Sequence, residues 1–381
     1  MDPCRDDRLA LTLLVAADGA SEPRRALLDA LGSPARALAA GPGAWREAGL
    51  DAAQIAALRA PDAGALARCA AWLDGGPGRH LIGWHSRDYP ALLRQAPSPP
   101  LALFVAGDPA LLWRPALAVV GTRGPTPGGR DNAAEFARAA VAAGLAVTSG
   151  LAAGVDTAAH QAALDAGGVT VAVLGTGPDV AYPYANRGLL ARIAASGAVV
   201  SEHRPGTQAR PGHFPARNRI IAGLSLGTLV IEAAQRSGAL ITARLAAEAG
   251  REVMALPGSI HNPLARGCHR LIRDGAALVE APAEAIAALE PLAQRLAADL
   301  RQRLHAPIAG GLTPVTTPVQ DEPCGDGDYQ SLWNALGHDP TDMDRLAQRT
   351  GLTPAVLSSM LLLMELEGRV AAQHGRYFRN R

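Results

Sequence analysis

Residues 118–150 read AVVGTRGPTPGGRDNAAEFARAAVAAGLAVTSG. An apolar strand runs into a glycine turn, a helix-forming stretch follows, and a second strand ends at Ser149 and Gly150. Two β-branched runs around one alternating apolar–polar helix make a βαβ unit. The turn is not the G-x-G-x-x-G of a dinucleotide site, and it carries Arg123 where a pyrophosphate loop needs bare backbone. The question is which anion such a loop holds.

The alternation continues toward the C-terminus. Strand-like runs stand at LAVVG, LAVTSG, TVAVLG, AVVSE, GTLVIEA and EVMALPG. Helical stretches lie between most of them: RDNAAEFARAAVAAG, VDTAAHQAALDAGG, RGLLARIAAS and ALITARLAAEAG. This predicts an α/β domain over residues 79–304, a Rossmann-like, doubly wound, mostly parallel sheet. Ligands of such sheets sit beyond the carboxyl ends of the strands, where the glycine loops fall. Residues 80–116 read as edge strands and a lead-in, and a helix over 282–305 closes the domain.

Three further segments flank it. Residues 1–78 are rich in Ala and Leu at helical spacing and predict a small all-helical domain. Its stretch LGSPARAL could be a helix-hairpin-helix element for DNA backbone or a packing module. Residues 305–327 are rich in Pro, Gly and Thr and read as a flexible linker. Residues 328–381 give three helices and a two-strand hairpin, a winged helix. From residue 321 onward nine acidic side chains face six arginines, a net −3. A duplex-gripping module carries a basic face, so protein contact or regulation is the better reading of this tail.

Composition narrows the chemistry. The chain has 381 residues, 48% of them apolar, and a net charge of +1, so global charge points to no partner. All 36 basic residues are arginine. Mechanisms that need a Schiff-base lysine, a P-loop lysine or a lysine base are therefore excluded. Anions must be met by arginine forks or backbone N–H groups. Cys4, Cys69, Cys268 and Cys324 are scattered, without metal-ligand spacing, and read as reduced thiols. With no signal peptide or membrane span in view, the expectation is a soluble cytoplasmic protein.

Four pieces are expected to meet at one sheet edge. Gly121, Thr122 and Arg123 follow the first strand of the unit, with Arg123 beside the free N–H groups of the next helix. Ser149, Gly150 and Gly154 open another helix N-terminus. Asn186 and Arg187 stand beyond a third strand. Residues 203–219 carry four arginines, two histidines and no acid. Converging arginines specify phosphate. Phe214, Tyr184 and Asn218 shift that reading toward a single strand, whose bases stack while its backbone follows charge. Phe214 could instead be core, and Asn218 and Arg219 could be structural. Asp156 and His160, spaced i, i+4, read as a helix-start Asp and a packed His; His269 reads as an interface or core residue. Glu232 is the best lone carboxylate, and one carboxylate makes no acid–base pair. With no catalytic motif in the chain, the expectation is no enzyme, no metal and no cofactor.

Read in order, VVGTR, SGLAAGVDTAAH, VLGTG, FPARNRIIAGLS, SGALITA, ALPGS and GCHRLIRDGA resemble the DNA-processing protein A family (DprA, also called Smf). The strong resemblance covers about residues 79–279. It implies a Rossmann-like core preceded by a sterile-alpha-motif-like (SAM-like) domain. It also implies sequence-independent single-stranded DNA binding and loading of RecA during natural transformation, without catalysis. Arg123 would be the leading phosphate contact, with Gly121, Thr122, Ser149 and Gly150 shaping the pocket and Phe214, Arg217 and Asn218 completing the strand path. The family often has lysine on this path; Arg187, next to Asn186, or Arg210 would substitute. The resemblance also implies a homodimer through His269, Leu271, Ile272 and Leu278, and a RecA contact near residues 240–249. The competing reading is a nucleotide phosphoribohydrolase of the lysine-decarboxylase-like group. Its P-G-G-x-G-T loop and following glutamate are missing from EAAQRSGALITA, residues 232–243.

Overall fold

The computed structural model of the chain describes residues 3–305, 326–336 and 341–353, with residues 356, 357, 360, 361, 364, 365, 369–373 and 376–379. Apart from its ends, the expected linker at 305–327 lies outside them. Two units are present, Met1–Ala306 and Pro307–Arg381.

Nine strands of the first unit form one sheet: β1 (Arg79–Gly83), β2 (Ala102–Gly107), β3 (Ala116–Val120), β4 (Ala146–Ser149), β5 (Thr170–Leu174), β6 (Ala198–Ser201), β7 (Gly227–Val230), β8 (Glu252–Ala255) and β9 (Ala277–Leu278). Their spatial order is β1-β2-β6-β5-β4-β3-β7-β8-β9. β1–β2 and β2–β6 pair antiparallel, and every other pair is parallel. The doubly wound sheet expected from the alternating pattern is thus present, extended at one edge by an antiparallel pair.

Period two explains why helices must cover both faces. On β3, Ala118 and Val120 belong to one apolar layer with Ile220, Ile221 and Ala243. Leu117 and Val119 belong to the opposite layer with Phe136, Ala159 and Leu289. The first layer is roofed by α11 (His213–Leu224) and α12 (Gly238–Glu248), the second by α8 (Pro127–Ala142), α9 (Val155–Asp165) and α14 (Pro282–His305). Both faces being dry, β3 is buried at all five positions. α7 (Ala91–Gln95) packs on α11, α10 (Arg187–Ser196) on β2, β5 and β6, and α13 (Arg266–Arg273) on β8.

The N-terminal segment is helical, as its composition predicts: α1 (Pro3–Ala16), α2 (Ser21–Leu31), α3 (Pro34–Ala39), α4 (Gly41–Glu47), α5 (Ala52–Arg59) and α6 (Ala63–Asp74). Short helices need explicit starts, and polar caps supply them. Asp51 and Gln54 form a reciprocal capping box on α5, and Asp62 accepts the Ala65 N–H at 3.0 Å on α6. This segment packs on the antiparallel edge: Leu101 joins Leu14, Leu28 and Trp45, and Phe104 joins Trp72 and Leu73.

The second unit contains α15 (Asp326–Leu336), α16 (Met343–Thr350) and a sheet of β10 (Thr341–Asp342), β11 (Val370–Gln373) and β12 (Arg376–Arg379), ordered β10-β12-β11. The described residues 356, 357, 360, 361, 364 and 365 are helical. Leu332, Leu346, Leu361 and Val370 close its core. Three helical segments and a hairpin are the winged helix that the sequence predicts.

Candidate functional site

β3 lies between β4 and β7, and the chain leaves it first toward β4 and later toward β7. The strand order therefore reverses at β3, and a crevice opens outside its carboxyl end. A cleft of about 650 Å³ occupies that position, lined among others by Thr122, Arg123, Tyr182, Phe214, Asn218 and Arg236. A recess of about 130 Å³ adjoins it under Arg123, Gly150 and Phe214.

Backbone bonds fix the loop that carries Arg123. The Thr122 N–H donates to the Glu232 carbonyl at 2.7 Å, and the Thr122 carbonyl accepts from the Val155 N–H at 3.2 Å. Gly154 lets the loop after β4 approach this closely. Its φ is +85°, and a Cβ there would stand 2.5 Å from the Thr122 oxygen. With its backbone anchored, Arg123 projects its side chain outward. That side chain is exposed, and no hydrogen bond or ion pair holds it among the described residues. The guanidinium lies 5.8 Å from the centre of the Phe214 ring, and Tyr182 meets Phe214 at 5.0 Å with 39° between the planes. A free cation beside two partly exposed rings gives both of the contacts a nucleotide needs, charge for its phosphate and a face for its base.

Arg217 lies beneath that surface. It is 6% exposed and donates to the carbonyls of Gly150 and Val173 and to Asn218 Oδ1. It ties the ends of β4 and β5 to α11. Gly150 makes room for it, since a Cβ there would stand 2.1 Å from the guanidinium. Buried Asp156 faces the same region and accepts the N–H groups of Gly150 and Ala152 at 3.1 and 3.3 Å. Burial pushes its carboxyl up, opposed by the charge of Arg217 and those N–H groups. His160 packs below, with Nδ1 2.7 Å from the Thr170 hydroxyl. That hydroxyl donates to the Val147 carbonyl, so it accepts from Nδ1–H and leaves Nε2 buried without a partner among the described residues. Burial, aided by the Arg217 charge, drops this imidazole to about 3, and it is neutral at physiological pH. The helix-start Asp and packed His read from the i, i+4 spacing are what these contacts describe.

The remaining candidates divide. Gly121, Thr122, Arg123, Gly150, Phe214, Arg217 and Asn218 come together at the cleft or its recess. Ser149 is buried, donating to the Val119 carbonyl at 2.6 Å, so it braces β4 against β3. Asn186 is buried too and bonds the Leu151 carbonyl and the Thr157 hydroxyl, each at 2.9 Å. Arg187 lines a different cavity with Tyr184, whose ring and hydroxyl it contacts. Arg210 lines a third.

Two expectations about helix ends need correction. α8 starts at Pro127, three residues before the predicted Arg130, because Thr126 caps it by accepting the Gly129 N–H at 3.0 Å. The Glu232 carboxylate then accepts from the Thr126 N–H and hydroxyl at 2.9 and 2.6 Å. That end is occupied by a side-chain anion and is closed to another. The first N–H of α9 is likewise taken, by Thr122. The helix end that lines the cleft is that of α12, at Ser237 and Gly238 next to Arg236. Sequence reading missed this fifth piece, although a serine cap before GALITA marks it. The ring that meets Phe214 is Tyr182, not the expected Tyr184, which lines a different cavity.

The residues expected at a dimer interface sit at the far end of the sheet. Leu271 and Ile272 are half-buried against the core, and Leu278, on edge strand β9, is 49% exposed. His269 Nε2 lies 3.0 Å from the Gly258 carbonyl.

A doubly wound sheet with an arginine-and-aromatic cleft at its switch point, followed by a winged-helix unit, defines a Rossmann-like α/β protein of two units. Residues 80–290 match the family described as DNA recombination-mediator protein A, and residues 316–376 match the DprA winged helix domain. Protein Smf of Escherichia coli is 40% identical over 315 residues, 81% of this chain and 79% of its own. Protein Smf of Synechocystis is 38% identical over 317 residues, 77% and 78% of the two chains. The X-ray structure of DNA processing protein A from Streptococcus pneumoniae matches with a TM-score of 0.64 at 36% identity, covering 72% of this chain and 95% of that one. The chain belongs to the DNA recombination-mediator protein A family, DprA/Smf.

Proposed function

We propose that this chain is a non-catalytic mediator that holds single-stranded DNA in the switch-point cleft and passes it to RecA in the cytoplasm, during uptake or recombination. One observation carries the reading: an unpaired arginine stands over the paired rings of Phe214 and Tyr182 at the cleft mouth. Duplex bases are already stacked on one another and offer no free face to such a surface; a single strand does. The absence of chemistry is supported by what the nearby groups are bonded to. Asp156 is held by backbone N–H groups, Glu232 by Thr126, and His160 by Thr170. The segment a phosphoribohydrolase would use, residues 232–243, lacks the following glutamate, and Glu232 at its start is held by Thr126. No described helix is long and apolar enough to cross a membrane.

The test is fluorescence anisotropy of a labelled single-stranded oligonucleotide with unlabelled duplex as competitor. Duplex is expected to displace the strand only at large excess, and adding RecA to the complex should speed filament assembly. Equal competition by duplex would overturn the reading. We also propose a homodimer through the β9 edge, where Leu278 is exposed on a strand whose outer side has no neighbour among the described residues. Leu278→Arg should then give monomers by light scattering with an unchanged circular dichroism spectrum; a dimer that survives would remove this edge from the interface.

A further inference from the structure

The turn formed by residues 210–214 faces two ways. Pro211 and Phe214 line the switch-point cleft, whereas Arg210 and His213 line a separate cavity of about 310 Å³. The opposite wall of that cavity comes from the helical N-terminal segment, through Asp18 and through Arg68 on α6. Arg204 completes a set of three arginines around it.

Charge pairing leaves these arginines available. Among the described residues none of the three side chains makes a hydrogen bond or ion pair, although carboxylates stand nearby. Glu202, in the wall, is held by both guanidinium nitrogens of Arg219 at 2.7 and 2.6 Å. Asp62 caps α6 through the Ala65 N–H, and Asp179 accepts the Gly206 N–H at 2.8 Å. Asp18 accepts the Gly19 N–H at 2.9 Å. The acids are thus hydrogen-bonded to backbone or to Arg219. The Ala65 N–H, helped by the charges of Arg68 and Arg204, holds the Asp62 carboxyl down, but no ion pair forms between these groups among the described residues. Two imidazoles add donors. His203 and His213 stack at 4.0 Å with 18° between their planes, and His203 Nε2 is buried without a partner. Unpaired arginines gathered around a polar hollow fit an anion with several oxygens, and phosphate is the one that matches their forks.

We infer that this cavity is a second phosphate station, in which Arg68 of the helical segment joins Arg204 and Arg210 to hold the strand backbone after it leaves the Phe214 ridge. The helical segment is then part of the DNA-binding surface. The inference rests on the strand reading proposed above. A free nucleotide or pyrophosphate presents the same chemistry, so the test separates the two sources.

Arg68 is exposed and bonds nothing, so Arg68→Ala leaves the fold intact. Anisotropy is measured with strands of about 5 and about 25 nucleotides, bracketing a single-site footprint, for wild type, Arg68→Ala and Arg123→Ala, across a salt series. Arg68→Ala should weaken the long strand about fivefold or more, cut its log–log salt slope by roughly 0.7, and leave the short strand unaffected. Arg123→Ala should weaken both. Equal affinity of wild type and Arg68→Ala for the long strand overturns the inference, and so does an equal loss on the short one. If ATP or pyrophosphate binds wild type but not Arg68→Ala, while the long strand is held equally, the cavity takes free phosphate and the strand station is wrong. Loss of the Arg123 effect alone would count against the cleft and not against this cavity.

Discussion

Arg217→Ala is expected to lower the unfolding free energy by about 3–5 kcal/mol, the usual cost of removing one partner from a buried charged network. Three acceptors lose their donor at once: the carbonyls of Gly150 and Val173 and the side-chain oxygen of Asn218. Asp156 loses the nearest compensating charge, and its carboxyl, already pushed up by burial, shifts further in the same direction. The alanine also leaves a void beside Gly150, a residue whose missing side chain exists to admit the guanidinium. Urea unfolding followed by circular dichroism reads the change as a fall in midpoint. A loss below about 1 kcal/mol, the size of an ordinary surface change, would mean that Arg217 does not hold the strand ends together. Any DNA-binding defect of this variant would be indirect, because the side chain is spent inside the fold.

Phe214→Ala is expected to weaken single-strand binding by about 1–3 kcal/mol, or roughly 5- to 150-fold in Kd, if one base stacks on the ring. The substitution removes no charge, so the salt slope should stay close to that of wild type. Phe214 is partly exposed and lies at the start of α11, so truncation leaves the core below it packed. Tyr182→Ala should act in the same direction, and the double variant should lose less than the sum, since each ring positions the other. Titration of a labelled strand checks both. Unchanged affinity for Phe214→Ala would make the ring a packing element beneath the loop.

The centre of the sheet could be read from the chain because β3 to β7 are buried on both faces, which writes them as short, nearly continuous apolar runs. Leu117 and Val119 supply one layer and Ala118 and Val120 the other, and no alternative element satisfies both. The convergence of the loops after β3, β4 and β5 followed from topology once the strands were placed. Bond partners were the part that could not be read. Ser149, Asn186 and Arg217 look in sequence like polar groups offered to a ligand, yet their partners are carbonyls and hydroxyls brought there by other elements. The same limit applies to Glu232, whose partner Thr126 lies 106 positions away. Arg236 escaped notice because its loop follows β7, on the far side of the strand-order reversal, and only the sheet order brings it back beside Arg123.

The measurement that bears most directly on the central claim is the salt dependence of single-strand binding for wild type and Arg123→Ala. If Arg123 meets a backbone phosphate, the variant should bind more weakly, and its slope of log K against log[salt] should be shallower by roughly 0.7, the value for one lost single-strand contact. A variant that binds as tightly as wild type, with the same slope, would take the strand out of this cleft.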